Sequence, residues 1–226
     1  MSSPHPLDRP VWSALKGRQS HLAIRRGGAV RFDPQFGMFA AVDGSPESLA
    51  ALGALIGELG EVALVEPEPP PVIPGAVVKS TAICWQMVAE GFPATPPTEP
   101  AETLQAADAA EMLALATLTK PGPFFARTNE LGRFVGVRSD GKLVAMAGER
   151  MKPPGFVEVS GVCTHPDHRG QGYAATLMRQ VAARIASEGE TPFLHSYADN
   201  AGAIALYERL GFRFRRELIM TVLAPA

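Results

Sequence analysis

The sequence predicts an α/β protein: a mixed, mostly antiparallel sheet flanked by helices, with a smaller α/β region ahead of it. Three observations lead there. Short extended runs at residues 134–138, 143–149 and 156–164 read as strands, and helical periodicity takes over from Ala174. Between them lies Arg169-Gly170-Gln171-Gly172-Tyr173-Ala174, a glycine-bearing turn that leads a strand into a helix. Glycine lets the backbone approach a ligand closely, and the first free N–H groups of a helix point at an anion. A phosphorylated ligand is expected at this turn.

The elements follow in order from the N-terminus. Pro10 to Lys16 is expected as a first helical turn, with extended pieces at 21–25, 29–32 and 38–42. Ser45-Pro46-Glu47 places a cap, a proline and an acid where a helix begins, and that helix reaches about Leu59. Residues 61–65 read as a strand. The proline-rich Glu66 to Gly75 cannot be regular structure and reads as a stiff spacer. Residues 77–91 are apolar enough to rejoin a core. The prolines from 93 to 100 mark the expected boundary, which divides an N-terminal α/β region (1–92) from a second domain (93–226). The first region is open to reading as a degenerate copy of the second, although no repeated motif marks it.

The second domain opens with a helix from about Ala107 to Leu118. Its first two strands are joined by Ser139-Asp140-Gly141, a hairpin signal. After the glycine turn, Ala174, Leu177, Met178, Val181, Ala182 and Ile185 recur at helical spacing, with Arg179, Gln180, Ala183 and Arg184 on the other side. Gly189 stops that helix. Residues 192–197 read as a strand, Asp199 or Asn200 caps a further helix to Leu210, and Gly211 follows as its C-terminal cap.

A dinucleotide fingerprint can also be written over Gly170, Gly172 and Ala175. It fits poorly: no acid ends the next strand, and too little chain remains for the rest of a doubly wound sheet. The pattern instead resembles the GNAT superfamily of acyl-CoA-dependent N-acetyltransferases. Three pieces carry the resemblance: Arg-x-x-Gly-x-Ala at Arg169, Gly172 and Ala174; the preceding strand Phe156 to Thr164; and Asn200-Ala201-Gly202-Ala203-Ile204-Ala205-Leu206-Tyr207-Glu208-Arg209-Leu210-Gly211-Phe212. The resemblance covers roughly the C-terminal 125 residues, an ordinary size for one domain.

The resemblance implies acetyl-CoA as acyl donor, no metal, and direct transfer to a primary amine on a small molecule or a peptide. Arg169, Gly170, Gln171, Gly172, Tyr173 and Ala174 would hold the pyrophosphate. The backbone of Val162, Cys163 and Thr164 would bond the pantetheine arm and polarise the thioester. Asn200 would hold the pantetheine amides, and Tyr207 would protonate the departing thiolate. Asn200 and Tyr207 are seven residues apart, so they share one helix face about 10 Å apart along the axis. Glu158 is the acid on the strand before the loop and the candidate general base, because an ammonium must lose a proton before it can attack. Glu149 is held in reserve. Simple alternation puts Glu158 on one strand face with Phe156, Ser160, Val162 and Thr164, and Val157, Val159, Gly161 and Cys163 on the other.

Composition narrows the partners. A net charge of −2 gives no nucleic-acid or anionic-membrane surface, and no apolar run reaches spanning length. Two cysteines, Cys84 and Cys163, suit a reducing cytoplasm and no disulfide framework. Cys163, His165 and His168 lie close together but match no zinc spacing, and nothing marks Cys163 as a thiolate. The segment from Pro121 to Arg127 is expected to shape the acceptor pocket. The N-terminal part is left to cover that pocket or to form an interface, including one between copies of the chain. The rival reading is a non-catalytic acyl-CoA-binding module whose N-terminal part is the working surface.

Overall fold

A computed structural model describes residues 5–95 and 101–226. The first part holds α1 (Pro10–Lys16), the strands β1 (Ala23–Arg26), β2 (Ala29–Phe32) and β3 (Ala40–Val42), then α2 (Pro46–Leu59), β4 (Val62–Glu66) and β5 (Ala76–Val88). The second part runs β6 (Glu102–Thr103), α3 (Ala109–Thr119), β7 (Val135–Ser139), β8 (Lys142–Glu149), β9 (Phe156–Thr164), α4 (Tyr173–Ser187), β10 (Thr191–Tyr197), α5 (Ala201–Arg209) and β11 (Arg213–Pro225). The mixed, mostly antiparallel sheet and its flanking helices are as the sequence predicts.

β1-β2-β3 form a small antiparallel sheet, and the remaining strands form one large sheet in the order β4-β11-β5-β10-β9-β8-β7-β6. The boundary expected after residue 92 does not divide that sheet. β5 lies between β10 and β11, and β11 pairs in turn with β4. The apolar run at 77–91 therefore completes the sheet of the second half rather than closing a separate domain.

The two halves repeat one order. Three antiparallel strands, a helix and a strand parallel to the third appear as β1-β2-β3-α2-β4 and again as β7-β8-β9-α4-β10. The parallel contact is the single bridge Phe39–Ala63 in the first copy and the β9–β10 pair in the second. Each copy's last strand is exchanged: β5 pairs with β10 of the second half, and β11 with β4 of the first.

Two features of β9 position the site. Its parallel pairing with β10 covers only Phe156–Glu158 against Thr191–Phe193, after which the two strands part. Its ladder with β8 also slips between Met146–Cys163 and Gly148–Ser160, a bulge centred on Gly161 at φ +64°. The bulge overturns the simple alternation. Val157 and Val159 pack against α4 with Leu177 and Val181, and beyond the bulge Val162 joins that side. Cys163 turns to the α3 side with Met112 and Leu115.

α4 buries the expected stripe from Leu177 to Ile185, and Gln180 and Ala183 with it, while Ala174 is only half-buried and lines the groove below. Gln180 is buried because the chain at Ala101 crosses it, donating to its amide oxygen at 2.6 Å and accepting from its nitrogen at 3.1 Å. That neighbour is invisible to helical periodicity.

A Cβ on Gly161 would lie 2.9 Å from the Phe134 ring, at a φ that L side chains avoid. Gly161→Ala is expected to lose ~1–3 kcal/mol of stability, read by denaturant unfolding. It should also weaken CoA binding by displacing the strand end. A variant as stable as the parent would show that the bulge is not under constraint.

Candidate active site

Asn200 caps α5, its side chain accepting from the Ala203 N–H at 3.2 Å. Its side-chain oxygen is therefore committed to the helix, and its amide nitrogen is the group left for a ligand. Gly172 sits at the start of α4 at φ +81°, and Gly170 at φ +79°. A Cβ on either would meet nothing within 4 Å, so backbone conformation rather than space calls for glycine here. The amide N–H groups of residues 170–175 donate to no protein acceptor among the described residues. Six consecutive free donors at a helix N-terminus form an anion cradle.

That cradle is one end of a groove of about 1480 Å³, part of it open to solvent. The strand end Val162, Cys163 and Thr164 forms one wall, and Gly202, Ala203 and Leu206 of α5 form another. Arg169 and Lys120 also line it, and no carboxylate does. All ten sequence-predicted binding residues, Arg169 to Ala174 together with Val162, Cys163, Thr164 and Asn200, are brought to this groove.

Tyr207 stands where the groove meets a second, smaller cavity of about 610 Å³; Pro121, Tyr197 and Asn200 are also common to both. Its ring packs edge-on to Phe212, with centroids 6.4 Å apart. Its hydroxyl has no protein partner among the described residues. Burial raises its pKa above the ordinary value near 10, so it stays protonated.

Glu158 does not meet the expectation of a base facing the acceptor. It is wholly buried and outside the cavity wall. Its two oxygens accept from Arg150 Nε at 2.8 Å and Nη2 at 2.7 Å, and Oε1 also meets His195 Nδ1 at 2.7 Å. Burial alone would raise its pKa, but the charge and hydrogen bonds of Arg150, with the hydrogen bond from His195, outweigh it. They hold the carboxyl below the ordinary range. A carboxylate so satisfied is a weak proton acceptor. Glu149, the reserve, is buried too and paired with Lys152 and Arg184, both at 2.9 Å, away from both cavities.

The residues missed in the sequence are the partners of Glu158. Arg150 and His195 line the smaller cavity, with Phe39 and Val65 from the first half and Met220 from β11. Gln86 on β5 fixes the histidine: its amide nitrogen donates to Leu7 O at 2.9 Å and lies 3.1 Å from His195 Nε2. Its oxygen accepts from Arg215 at 2.9 Å, which sets the amide orientation. His195 Nε2 is then an acceptor and Nδ1–H a donor to Glu158. Arg150 follows an acidic strand end in the sequence, a signal that also fits a solvated loop.

Cys163 is buried, and burial pushes its thiol up to about 11, which fits packing rather than nucleophilic use. Among the described residues no cluster of three or more His, Cys, Asp or Glu could hold a metal ion, and no helix is long and apolar enough to cross a membrane.

Two outcomes check this geometry. Gly172→Asp puts a carboxylate beside the cradle, and calorimetry should show CoA binding weakened roughly tenfold or more. Unchanged affinity would remove the turn from the site. Glu158→Gln leaves a buried guanidinium half-paired and should cost roughly 3–5 kcal/mol in urea unfolding, while Arg150→Met/Glu158→Gln should recover much of that loss.

Comparison with known proteins agrees with this architecture. The family described as FR47-like protein matches residues 134–220. A GNAT-family protein from Novosphingobium aromaticivorans DSM 12444, named as an acetyltransferase, is 50% identical and superposes with a TM-score of 0.92. The match covers 99% of this chain and 100% of that one. A GCN5-related N-acetyltransferase from Kribbella flavida shares the fold at 21% identity and a TM-score of 0.59, over 95% of this chain and 94% of that one. A GCN5-related N-acetyltransferase-like protein from Streptococcus suis 89/1591 does so at 14% identity and 0.59, over 96% and 92%. No curated protein matches the chain. With half of its residues identical to a GNAT protein over the full length of both, the chain belongs to the GNAT acetyltransferase family.

Proposed function

We propose that the protein transfers an acetyl group from acetyl-CoA to a primary amine by direct attack. The observation that carries this reading is the six-donor cradle in one groove with Tyr207, whose protonated hydroxyl stands where the groove opens into a second cavity. The pyrophosphate would accept from the cradle, with Arg169 and Lys120 adding charge. The pantetheine arm would run along the β9 edge that β10 leaves unpaired, and a strand-end N–H there would stabilise the developing oxyanion.

The amine nitrogen attacks the thioester carbon, the C–S bond breaks as the tetrahedral intermediate collapses, and the thiolate takes the Tyr207 proton. The nitrogen gives up its own proton to solvent, because neither oxygen of Glu158 is free to accept it. Glu158 is on this reading a positioning residue that holds Arg150 and His195 at the cavity wall. We place the reaction in the cytoplasm, consistent with two buried, unpaired cysteines.

Screening an amine library for acceptor-dependent release of CoA thiol tests the proposal. Binding of acetyl-CoA without release toward any amine would favour a binding module instead. Tyr207→Phe should lower turnover on the order of ten- to a thousandfold while sparing CoA affinity and folding, because a thiol of pKa near 8.5 leaves fairly well unaided. An activated aryl thioester, whose thiol leaves more readily, should recover the variant selectively.

The pH dependence has a defined sign. Only the unprotonated amine attacks, so kcat/KM should rise with pH toward the acceptor's own pKa. The inflection should move when an acceptor of different basicity is used. Tyr207, raised above 10, should cause no alkaline fall below that pH. An inflection fixed for all acceptors would instead reveal a dedicated base on the protein.

A further inference from the structure

The smaller cavity meets the groove at Tyr207 and Asn200, so on the transferase reading it is where the acceptor sits, and the identity of that acceptor is inferred on the same reading. Its wall contains no aspartate or glutamate. One formal charge lines it, the guanidinium of Arg150, whose side chain is 12% exposed, while its partner Glu158 is 0% exposed behind it. The pair is neutral overall, but the cavity meets it at its positive end.

Arg150 gives Nε and Nη2 to Glu158, and Nη1 donates to no protein acceptor among the described residues. The face of the guanidinium is already taken by the Phe39 ring, 4.7 Å away, so its donors are what remain for a ligand. That Nη1 is open rather than buried, and a charged guanidinium donor suits a carboxylate better than any neutral acceptor. Around it Phe39, Val65, Met151 and Met220 give the wall an apolar side, and His195, Ser196, Tyr197 and Asn200 give it neutral polar groups. A polyamine or an aminoglycoside would find no anion for its further ammonium groups and would set one of them against Arg150.

We propose that the acceptor is a small amino acid or amino-acid-like amine, whose carboxylate is held by Arg150 and whose short apolar frame lies against Phe39 and Met151. Arg150 is on this account a specificity residue, and Glu158 keeps its donors aimed. A peptide N-terminus, which has no carboxylate near its amine, is disfavoured by the same arrangement.

The test is acetylation of matched acceptors by the full chain at fixed acetyl-CoA. Each apolar amino acid is compared with its amide and its decarboxylated amine, together with β- and γ-amino acids, a dipeptide and spermidine. A charge-assisted hydrogen bond of ~1.5–3 kcal/mol predicts kcat/KM about 10- to 150-fold higher for the carboxylate-bearing member. In Arg150→Met/Glu158→Gln, which removes the buried pair together, that ratio should collapse toward one. Equal rates for acid, amide and amine in the parent protein, or preference for spermidine or the dipeptide, would overturn the inference and leave the transferase reading standing. Binding of acetyl-CoA with no turnover on any acceptor would instead defeat the transferase reading. A double variant that folds by circular dichroism and keeps the full preference would remove Arg150 from the recognition.

Discussion

The parting of β9 from β10 is the constraint on which the rest of the site depends. The parallel pair closes only through Glu158 and Phe193. Beyond that point β9 stays bonded to β8 and β10 to β5, so each is held on its outer side while the gap between them opens. The bulge at Gly161 adds local twist to β9 and turns its end away. At the fork a side-chain link succeeds the backbone link: His195, two residues past the last paired residue of β10, bonds Glu158 at 2.7 Å. Arg150 completes that link, which is why the buried carboxylate is better understood as part of the fork than as a reagent.

The first half shows what the second would be without two of its parts. Where α5 stands between β10 and β11, the first half has the proline-rich connector from Pro67 to Gly75, so it lacks the helix that carries Asn200 and Tyr207. Where α4 opens on free donors, α2 opens on its own caps. Ser45 accepts from the Ser48 N–H, and Asp43 accepts from the Ser45 backbone N–H and hydroxyl, bonds that hold the Asp43 carboxyl at about 2. A protein anion and a cap already occupy the place an external phosphate would need.

How much of this is legible in the sequence depends on how local each signal is. The phosphate turn, α4 and the capped α5 are written in consecutive residues, and Gly172 and Asn200 sit where the pattern puts them. The sheet order is not local. β5 is readable as an apolar run, but its place between β10 and β11 depends on contacts with residues more than a hundred positions away. Glu158 illustrates the same limit within one strand. Alternation places it on a strand, yet its chemistry is set by Arg150, eight residues away, and by His195 on another strand. A single glycine, Gly161, is enough to reverse the predicted facing of Val162 and Cys163.

The two cavities draw on different parts of the chain. Every residue lining the larger groove lies between Thr119 and Tyr207, within the second half. The smaller cavity needs both halves: Phe39, Val65 and Cys84 from the first, Arg150, His195 and Tyr207 from the second, and Met220 from the exchanged last strand. Exchange of β5 and β11 is what brings these together, because it builds β4 and β5 into the same sheet as β10. The first half, which lacks a counterpart of α5 and a free cradle, is therefore retained by the sheet itself, and its Phe39 and Val65 share the smaller cavity's wall with Arg150.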